Sequence, residues 1–506
     1  MMRRTWTATK KALRAFDIQQ GAVVAHDTIT PRQEILGILI FSLLFFSWGL
    51  AYGLLDIMNY HIKVAMGITR REAAYLAMAY YTAYLPGALG IGGPIVKSVG
   101  YRFAAVVGLL LLASGDMVMS VGASALNFSL MCGAHLVVGL GVSTLERAAN
   151  AFAVENGPRK RAAFRILAAQ SAAALGTVFA PLLANAIIFD PSSAGLMPER
   201  DPLNAAKCLM PAAPDKGEAG DLGTVVKFYR ILGAAIFVFA GVLAVLFFRT
   251  RLVIEPVVPR SPRVDGSWWK FWAHPLVDKK FSRLWLGCAA NFWNLGCQVT
   301  VAQFFMEHMR INACANESQA ATYMMAAQIL FVAGRLVAAG LISLPAAPFL
   351  SRFDGPHKVL KPRFILAFFV GCAAVFTGMG ITLNGQAAVA CICLVMFAEA
   401  PSFPMAFEAA TADLGEWTPT AESLVIVSIT GGGVLPLLNG MAADTFGVSK
   451  AWGLATGFFG LVFCYTVLLN VVPSWKQAQD KAHGAAEKHE ASDAEVALVS
   501  VSPVSK

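Results

Sequence analysis

Apolar stretches of about twenty residues recur along the chain and are separated by short polar segments. A helix that crosses a bilayer needs about 20 mostly apolar residues, because each residue advances the helix by about 1.5 Å. Twelve stretches meet this requirement, and each predicts one membrane-spanning helix. They begin near Ile35, Glu72, Tyr101, Asn127, Arg161, Val225, Arg283, Gln319, Phe364, Ala387, Ser423 and Ala451.

A basic segment, residues 249–282, divides these helices into two groups of six. Two six-helix bundles joined by a central loop are typical of the major facilitator architecture, in which substrate binds between the halves. We therefore predict an all-α membrane protein with 12 transmembrane helices and a major facilitator fold. The predicted units are an N-terminal tail (1–34), an N-terminal bundle (35–248), the central loop (249–282), a C-terminal bundle (283–472) and a C-terminal tail (473–506).

The composition agrees with a protein that crosses the membrane many times. The chain has 506 residues, of which 57% are hydrophobic and 14% charged, whereas a soluble domain has about 25% charged residues. The net charge of +9 is distributed over short segments between apolar stretches, which does not indicate binding to nucleic acid. Lys and Arg concentrate in every second loop, and the positive-inside rule then predicts that both termini are cytoplasmic. The polar, Ala-rich composition from residue 476 onward predicts a disordered tail.

Two carboxylates, Asp56 and Glu146, lie inside apolar stretches. An ionised carboxylate in a bilayer costs about 2.5 kcal/mol or more, and such groups face a wet cavity, bind a partner or carry protons or ions. The predicted helix directions place Asp56 toward the outer side and Glu146 at or inward of the membrane centre. That arrangement suits proton uptake. The alternative is that each acid belongs to a fixed ion pair.

Polar amides mark one face of the seventh predicted helix. Asn291, Asn294 and Gln298 follow the spacing i, i+3, i+7, so they share a helix face. An amide both donates and accepts hydrogen bonds, so this face predicts contact with the hydroxyl groups of a substrate. The alternative is hydrogen bonding between helices. Gln170 is a further candidate of the same kind, and Trp48 offers an aromatic face to a ring.

Two cysteines fall in different loops on the predicted outer face. Because that side is oxidising, Cys208 and Cys314 are compatible with a disulfide, and the alternative is two unrelated thiols. Asn316, Glu317 and Ser318 form an N-glycosylation sequon on the same face. No metal-ligand cluster, phosphate-binding loop or nucleophile set is visible in the sequence. We therefore predict no metal, no cofactor and no enzymatic activity.

Several segments resemble the L-fucose:proton symporters of the major facilitator superfamily. They are FFSWGLAYGLLDIM (45–58), LERAANAF (145–152), FRILAAQSAAALGT (164–177), GRLVAAGLIS with the following PHKVL (334–343, 356–360) and SLVIVSITGGGVLPLLNGMAAD (423–444). The matches cover both halves. The resemblance implies that Asp56 and Glu146 are the proton-coupling pair and that Gln170 and Gln298 match family glutamines.

Four positions depart from the family pattern. Tyr52, Gly53, Leu55 and Ala173 stand where the family has asparagines, so several amides that would bind hydroxyl groups are missing. The resemblance therefore implies a monosaccharide without naming it. The long outer loop, residues 190–223, and the extended tails suggest a eukaryotic member in the plasma membrane.

These observations predict a proton-coupled symporter that takes up a monosaccharide, fucose-like or another hexose or pentose, by alternating access. The partners are then the sugar, protons and the lipid bilayer, and the expected state is a monomer. Two alternatives remain at this stage. One is a proton-coupled exporter of a small molecule, and the other is a nutrient receptor that does not transport.

Overall fold

The computed structural model describes residues 23–24, 29–156, 162–187, 199–201, 204–209, 222–249, 255–256, 281–343, 361–414 and 417–480. Within these residues the helices make twelve passes, arranged as two groups of six. Nine of the helices in the described part are long and apolar enough to cross a membrane by length and composition. The predicted fold class is confirmed. Each pass begins no more than five residues from its predicted start.

The N-terminal half contains the first six passes. The second pass is composite, because α2 continues through a π-helix at Pro86–Gly92 into α3. The helices are α1 (Pro31–Met66), α2 (Arg70–Thr82), α3 (Gly93–Ser98), α4 (Tyr101–Ser124), α5 (Phe128–Glu155), α6 (Ala162–Ile187) and α7 (Gly223–Arg249).

The C-terminal half contains the other six passes. Its fourth pass is broken at Pro401, and its fifth contains one turn of 3-10 helix at Ser428–Thr430. The helices are α8 (Ser282–Ala313), α9 (Glu317–Ser343), α10 (Pro362–Thr382), α11 (Gly385–Glu399), α12 (Ser402–Thr411), α13 (Thr418–Val427), α14 (Gly431–Phe446) and α15 (Val448–Val471). A proline lacks the backbone donor that helix continuation needs, which accounts for the break between α11 and α12.

Two small sheets lie at opposite ends of the molecule. At one end, β2 (Glu199–Asp201) and β3 (Asn204–Leu209) form an antiparallel hairpin that packs on α8. This end also carries a disulfide, described below, and we call it the disulfide face. The other end, from which α1 and α8 start, is called the basic face. Here β1 (Val23–Val24) pairs in parallel with β4 (Glu255–Pro256).

The two halves meet along pairs of helices. The helix α2 packs on α14, α6 on α9, and α1 on α8. The α2–α14 contact is unusually close, because a Cβ atom at Gly432 would lie 2.9 Å from the Tyr81 ring. A Cβ atom at Gly433 would lie 3.0 Å from the Cα atom of Met78. Small residues let helices approach to backbone distance, so the GGG segment sets the spacing of the halves.

The chain remains helical beyond the last pass. The prediction of disorder from residue 476 is wrong for the stretch that the structure describes, since residues 473–480 form a further helix. Its Trp475 is buried and its ring lies 6.2 Å from that of Tyr465 in α15. Aromatic burial therefore holds the start of this segment on the bundle.

The end of the same segment is held by charge. Lys361 contacts Asp480 at 3.2 Å, and Arg363 contacts it as well. Burial works to raise the pKa of Asp480, but hydrogen bonds and attraction from Arg363 and Lys361 outweigh it and hold that pKa below its usual range. The hydropathy pattern missed this helix because it is polar and short.

Candidate functional site

Glu146 lies in α5 in a buried polar group of the N-terminal half, and 5% of its surface is exposed. Tyr84 and Asn150 are the hydrogen-bonding neighbours of its carboxyl. The other oxygen, Oε2, has no hydrogen-bond partner within the described residues. An unsatisfied buried carboxyl oxygen costs about 1–3 kcal/mol, so this arrangement is not that of a fixed ion pair.

Tyr84 connects Glu146 to the predicted aromatic residue. Its hydroxyl interacts with the indole of Trp48 and with Tyr80. The rings of Tyr80, Tyr81 and Tyr84 lie within 6.0 Å of one another as a packed cluster. The structure thus brings Trp48 and Glu146 to one place. Sequence reasoning missed the tyrosines, although their i, i+4 spacing was a visible signal.

Asp56 lies in α1, on the part of the helix that approaches the disulfide face. Its side chain lies outside the described part of the structure. The neighbouring Ile57 and Met58 are fully buried in a cluster that includes residues of both halves, such as Phe305. On α1, Asp56 therefore lies nearer the disulfide face than Glu146 does on α5.

The four departures from the family pattern fall into two classes. Gly53, Leu55 and Ala173 are occupied with helix packing. A Cβ atom at Gly53 would lie 2.8 Å from the Ala180 side chain, while Leu55 and Ala173 are each 4% exposed. Tyr52 is only half-buried, and its ring lies 6.4 Å from that of Trp48. Among these four, Tyr52 is the position open to a ligand.

Across from Tyr52, Arg335 of α9 brings a positive charge to the interface between the halves. The two side chains interact electrostatically. The guanidinium lies 4.7 Å from the centre of the Phe331 ring, and its Nε donates to the carbonyl oxygen of Ala400. Gln170, on α6, is half-buried on the helix that packs on α9. Among the described residues, the close contacts of Arg335 are thus with a backbone carbonyl and an aromatic ring.

The predicted amide face of α8 lies between the side of the helix that faces the N-terminal half and the side that faces the interior of the C-terminal bundle. Leu295 packs on a hydrophobic cluster made mainly of residues of the N-terminal half, and the Cys297 thiol donates to the Ala455 carbonyl inside the C-terminal bundle. At 3.6 residues per turn, Gln298 projects between these two directions. It is 8% exposed, whereas Asn291 and Asn294 are fully buried. Both amide groups of these asparagines lack hydrogen-bond partners among the described residues.

Charged side chains join the halves at the disulfide face. The carboxylate of Glu307, from the C-terminal half, is buried and contacts Lys63 Nζ at 2.7 Å and Arg70 Nε at 2.9 Å, both from the N-terminal half. Arg70 also reaches Asp444 at 3.4 Å. Because each partner lies on the opposite half, these ion pairs hold this face closed.

A second group of polar and charged side chains also joins the two halves at the disulfide face. Arg310 donates to the Tyr60 hydroxyl at 2.7 Å and contacts Glu317 at 3.2 Å. His61 in turn contacts Glu317 at 3.3 Å. Tyr60 and His61 belong to α1, while the other two belong to the C-terminal half, so the network crosses the interface twice.

Nothing in the described part of the chain resembles a metal site, since no group of three or more His, Cys, Asp or Glu side chains is gathered there. The polar residues that are gathered are amides, tyrosines and single carboxyls. Those groups bind hydroxyls and protons. They lie along and beside the contact between the two helical halves.

A family model described as Major Facilitator Superfamily matches residues 37–416. The chain belongs to the major facilitator superfamily. It is 25% identical over 443 residues to a glucose/galactose transporter of Brucella abortus (strain 9-941), covering 87% of this chain and 95% of that protein. It is 23% identical over 435 residues to an L-fucose-proton symporter of Escherichia coli (strain K12), covering 85% and 92%.

Solved structures of the superfamily share the fold. The crystal structure of FucP in the outward conformation matches with a TM-score of 0.60 at 20% identity, covering 86% of this chain and 99% of that one. The xylose transporter XylE from E. coli, in a partially occluded inward open conformation, matches with a TM-score of 0.58 at 14% identity, covering 87% and 100%. Family and fold are those of major facilitator transporters rather than enzymes.

In this major facilitator protein, the hairpin is joined covalently to the other half. The structure links Cys208 of β3 to Cys314 at the end of α8, with Cα atoms 5.5 Å apart. The next residue but one, Asn316, caps α9, because its Oδ1 accepts from the backbone of Gln319 at 2.8 Å. Glycosylation of Asn316 stays a prediction.

Replacing Cys208 with Ser is expected to lower the thermal stability of the protein. The link closes a loop with a sequence separation of 106, for which chain entropy gives at most about 4.7 kcal/mol. Helices that stay in the detergent micelle already restrain the unfolded chain, so we expect roughly 2 kcal/mol. Thermal unfolding in detergent measures the change. Cys464→Ser, at an exposed free cysteine, is the control and should change nothing. Peptide mapping without reductant that finds no linked peptide would contradict the prediction.

Proposed function

We propose that this protein is a proton-coupled symporter that takes up a monosaccharide by alternating access. The observation that carries the proposal is the Glu146 carboxyl, buried beside Tyr84 and Trp48 with one oxygen unpartnered. Support comes from relatives named as a glucose/galactose transporter and an L-fucose-proton symporter. A carboxyl that gains a proton there becomes neutral, which lowers the cost of burying it when the halves close.

In this proposal Asp56 and Glu146 act in sequence. Asp56, nearer the disulfide face, receives a proton from the outer solution, and Glu146 holds it at the sugar site. Release of the sugar toward the basic face lets Glu146 lose the proton on that side. The ion pairs of Glu307 and Glu317 keep the outer side closed during release.

The sugar would lie between Trp48, Tyr52 and Gln170 on one half and the α8 amide face on the other. Trp48 would stack on the sugar ring, while Gln170, Asn291, Asn294 and Gln298 would bind hydroxyl groups. Arg335 would add a charged donor opposite Tyr52. The packed Gly53, Leu55 and Ala173 leave fewer amides on the N-terminal half, which favours a sugar with different hydroxyl positions from fucose.

We place the disulfide face outside the cell and the basic face in the cytoplasm. The disulfide favours an oxidising side for its own face, and the Lys- and Arg-rich loops favour the cytoplasm for the other. Both termini are then cytoplasmic, with the unit boundaries given above. We further propose a monomer in the plasma membrane of a eukaryote, on the ground of the long loop 190–223 and the tails.

The test is uptake of labelled glucose, galactose, fucose and xylose into proteoliposomes, with and without an inward proton gradient. We expect the gradient to drive accumulation of at least one sugar above its outside concentration. A pH gradient of one unit supports about tenfold accumulation per proton carried. Efflux driven by an outward sugar load but no uptake under any gradient would favour an exporter. Folded protein that moves no sugar in either direction would favour a receptor.

A further inference from the structure

A second carboxyl is buried in the C-terminal half, at the end of α11. Glu399 is fully buried, and neither of its carboxyl oxygens has a hydrogen-bond partner among the described residues. It immediately precedes the helix break at Ala400 and Pro401. An ionised carboxylate left unpaired in such surroundings costs several kcal/mol, so a role or a neutral state is required.

Two contacts fix how α8 lies against the broken helix. A Cβ atom at Gly287 would lie 2.5 Å from the Ala410 side chain, and Glu399 interacts electrostatically with the Cys297 thiol. The two helices therefore run antiparallel, so residue numbers rise along α8 as they fall along α12 and α11. That register brings Asn294 level with Ser402, one turn from Glu399.

We call the contact between α8 and the broken helix α11–α12 the seam. Among the described residues, the polar groups along it lack partners that would compensate a charge. Asn291 and Asn294 are fully buried, with both amide atoms of each unpartnered in the described part of the chain. The Ser402 hydroxyl donates to the backbone carbonyl of Glu399 and not to its carboxyl. The seam thus gathers one carboxyl and two amides in an apolar bundle.

Charged groups on the neighbouring helices have other contacts. Arg335 of α9 donates to the carbonyl of Ala400 and lies over the Phe331 ring. His308, about three turns along α8, contacts Trp452 of α15 at 3.1 Å. Within the described residues, neither oxygen of Glu399 has a hydrogen-bond partner, so neither side chain is bonded to it there.

We propose that Glu399 is a second proton-binding carboxyl, so that each sugar is carried with two protons. The proton adds to one carboxylate oxygen from the outer solution and leaves to the inner solution, with no other bond changed. When protonated, the carboxyl donates to an amide oxygen and accepts from an amide nitrogen, which pairs it with Asn294. Loss of the proton removes that donor, so protonation is coupled to the amides proposed to bind sugar. This inference rests on the proposed symport.

The experiment measures the accumulation ratio against the pH gradient in proteoliposomes whose membrane potential is held at zero. With two protons, a gradient of one pH unit gives about 100-fold accumulation, and with one proton about tenfold. We expect Glu399→Gln to lower the accumulation ratio from about 100-fold to about tenfold. Glu408→Gln, nine residues later and exposed, and Asp116→Asn, a buried carboxyl against Gly233 of α7, should both keep the wild-type ratio.

The possible results distinguish failure of the second proton site at Glu399 from failure of the proposed symport. If the wild type accumulates sugar about tenfold and Glu399→Gln does the same, symport stands and the second proton site is overturned. If the wild type does not accumulate sugar, the proposed function itself fails. Difference infrared spectroscopy of the carboxyl carbonyl stretch on acidification provides a readout that needs no transport. Loss of one titrating band in Glu399→Gln supports the site, and an unchanged spectrum in folded variant overturns it.

Discussion

Glu146→Gln is expected to abolish accumulation of sugar against its gradient while exchange of sugar across the membrane continues. Glutamine has the shape of a protonated glutamate and keeps the contacts of Tyr84 and Asn150. It cannot lose or gain the proton that links the two gradients. Because return of the empty protein requires Glu146 to release its proton, accumulation at a gradient of one pH unit should fall to a ratio of one even if Glu399 still binds a proton. The wild-type ratio is about 100-fold with two protons and about tenfold with one.

Two assays separate this effect from simple loss of the protein. Labelled sugar should still enter vesicles preloaded with unlabelled sugar, because exchange needs binding and movement but no proton release. Asp116→Asn removes another buried carboxyl from the N-terminal half and should leave accumulation unchanged. Normal accumulation by Glu146→Gln would show that the proton is carried elsewhere.

Glu307→Gln is expected to shift the protein toward states in which the disulfide face is open. In the closed state Lys63 and Arg70 would lose the buried carboxylate between them, whereas in an open state water solvates both cations. Removing one partner of a buried ion pair costs about 3–5 kcal/mol. Arg70 is more than a quarter exposed, so we expect about 2 kcal/mol, or roughly a 30-fold change in the closed-to-open ratio.

Hydrogen–deuterium exchange measures this shift without added labels. Amides at the disulfide-face ends of α1 and α8 should exchange faster in Glu307→Gln than in the wild type. The matched control is Asp444→Asn, which removes a more exposed partner of the same arginine at 3.4 Å. A surface contact of that kind is worth less than about 1 kcal/mol, so its effect should be small. Equal exchange in all three proteins would argue against a closing role for Glu307.

Much of the fold could be predicted because the bilayer imposes helix length on the sequence. The start of α4 at Tyr101 coincides with its predicted start, since the apolar run begins there. The breaks around Pro86 and Pro401 were not predicted, because hydropathy does not register a missing backbone donor. The helix at 473–480 was missed because its stability comes from Trp475 and Asp480 contacting distant residues, which no local pattern reveals.

The candidate site could be predicted only in part. The spacing of Asn291, Asn294 and Gln298 established a shared helix face, but not which neighbour that face meets. Only the packing of α8 shows that Asn291 and Asn294 are fully buried while Gln298 keeps 8% of its surface exposed. Similarly, the sequence could not show that α1 and α6 approach to backbone distance beside Ala173, where a Cβ atom at Gly49 would lie 1.9 Å from the Ala173 carbonyl oxygen. Pairwise contacts of this kind depend on the tertiary structure.

The stripe of Gly432 and Gly433 against α2 has a consequence for the speed of the cycle. Where bulky side chains of two helices interlock, rotation of one helix against the other requires each side chain to leave the groove of the facing helix. This produces an energy barrier at every step. Gly432 and Gly433 offer no side chain to interlock with α2, so at these two positions the halves can turn with little repacking. The temperature dependence of turnover should then report the breaking of ion pairs at the disulfide face rather than repacking at the Gly432–Gly433 contact.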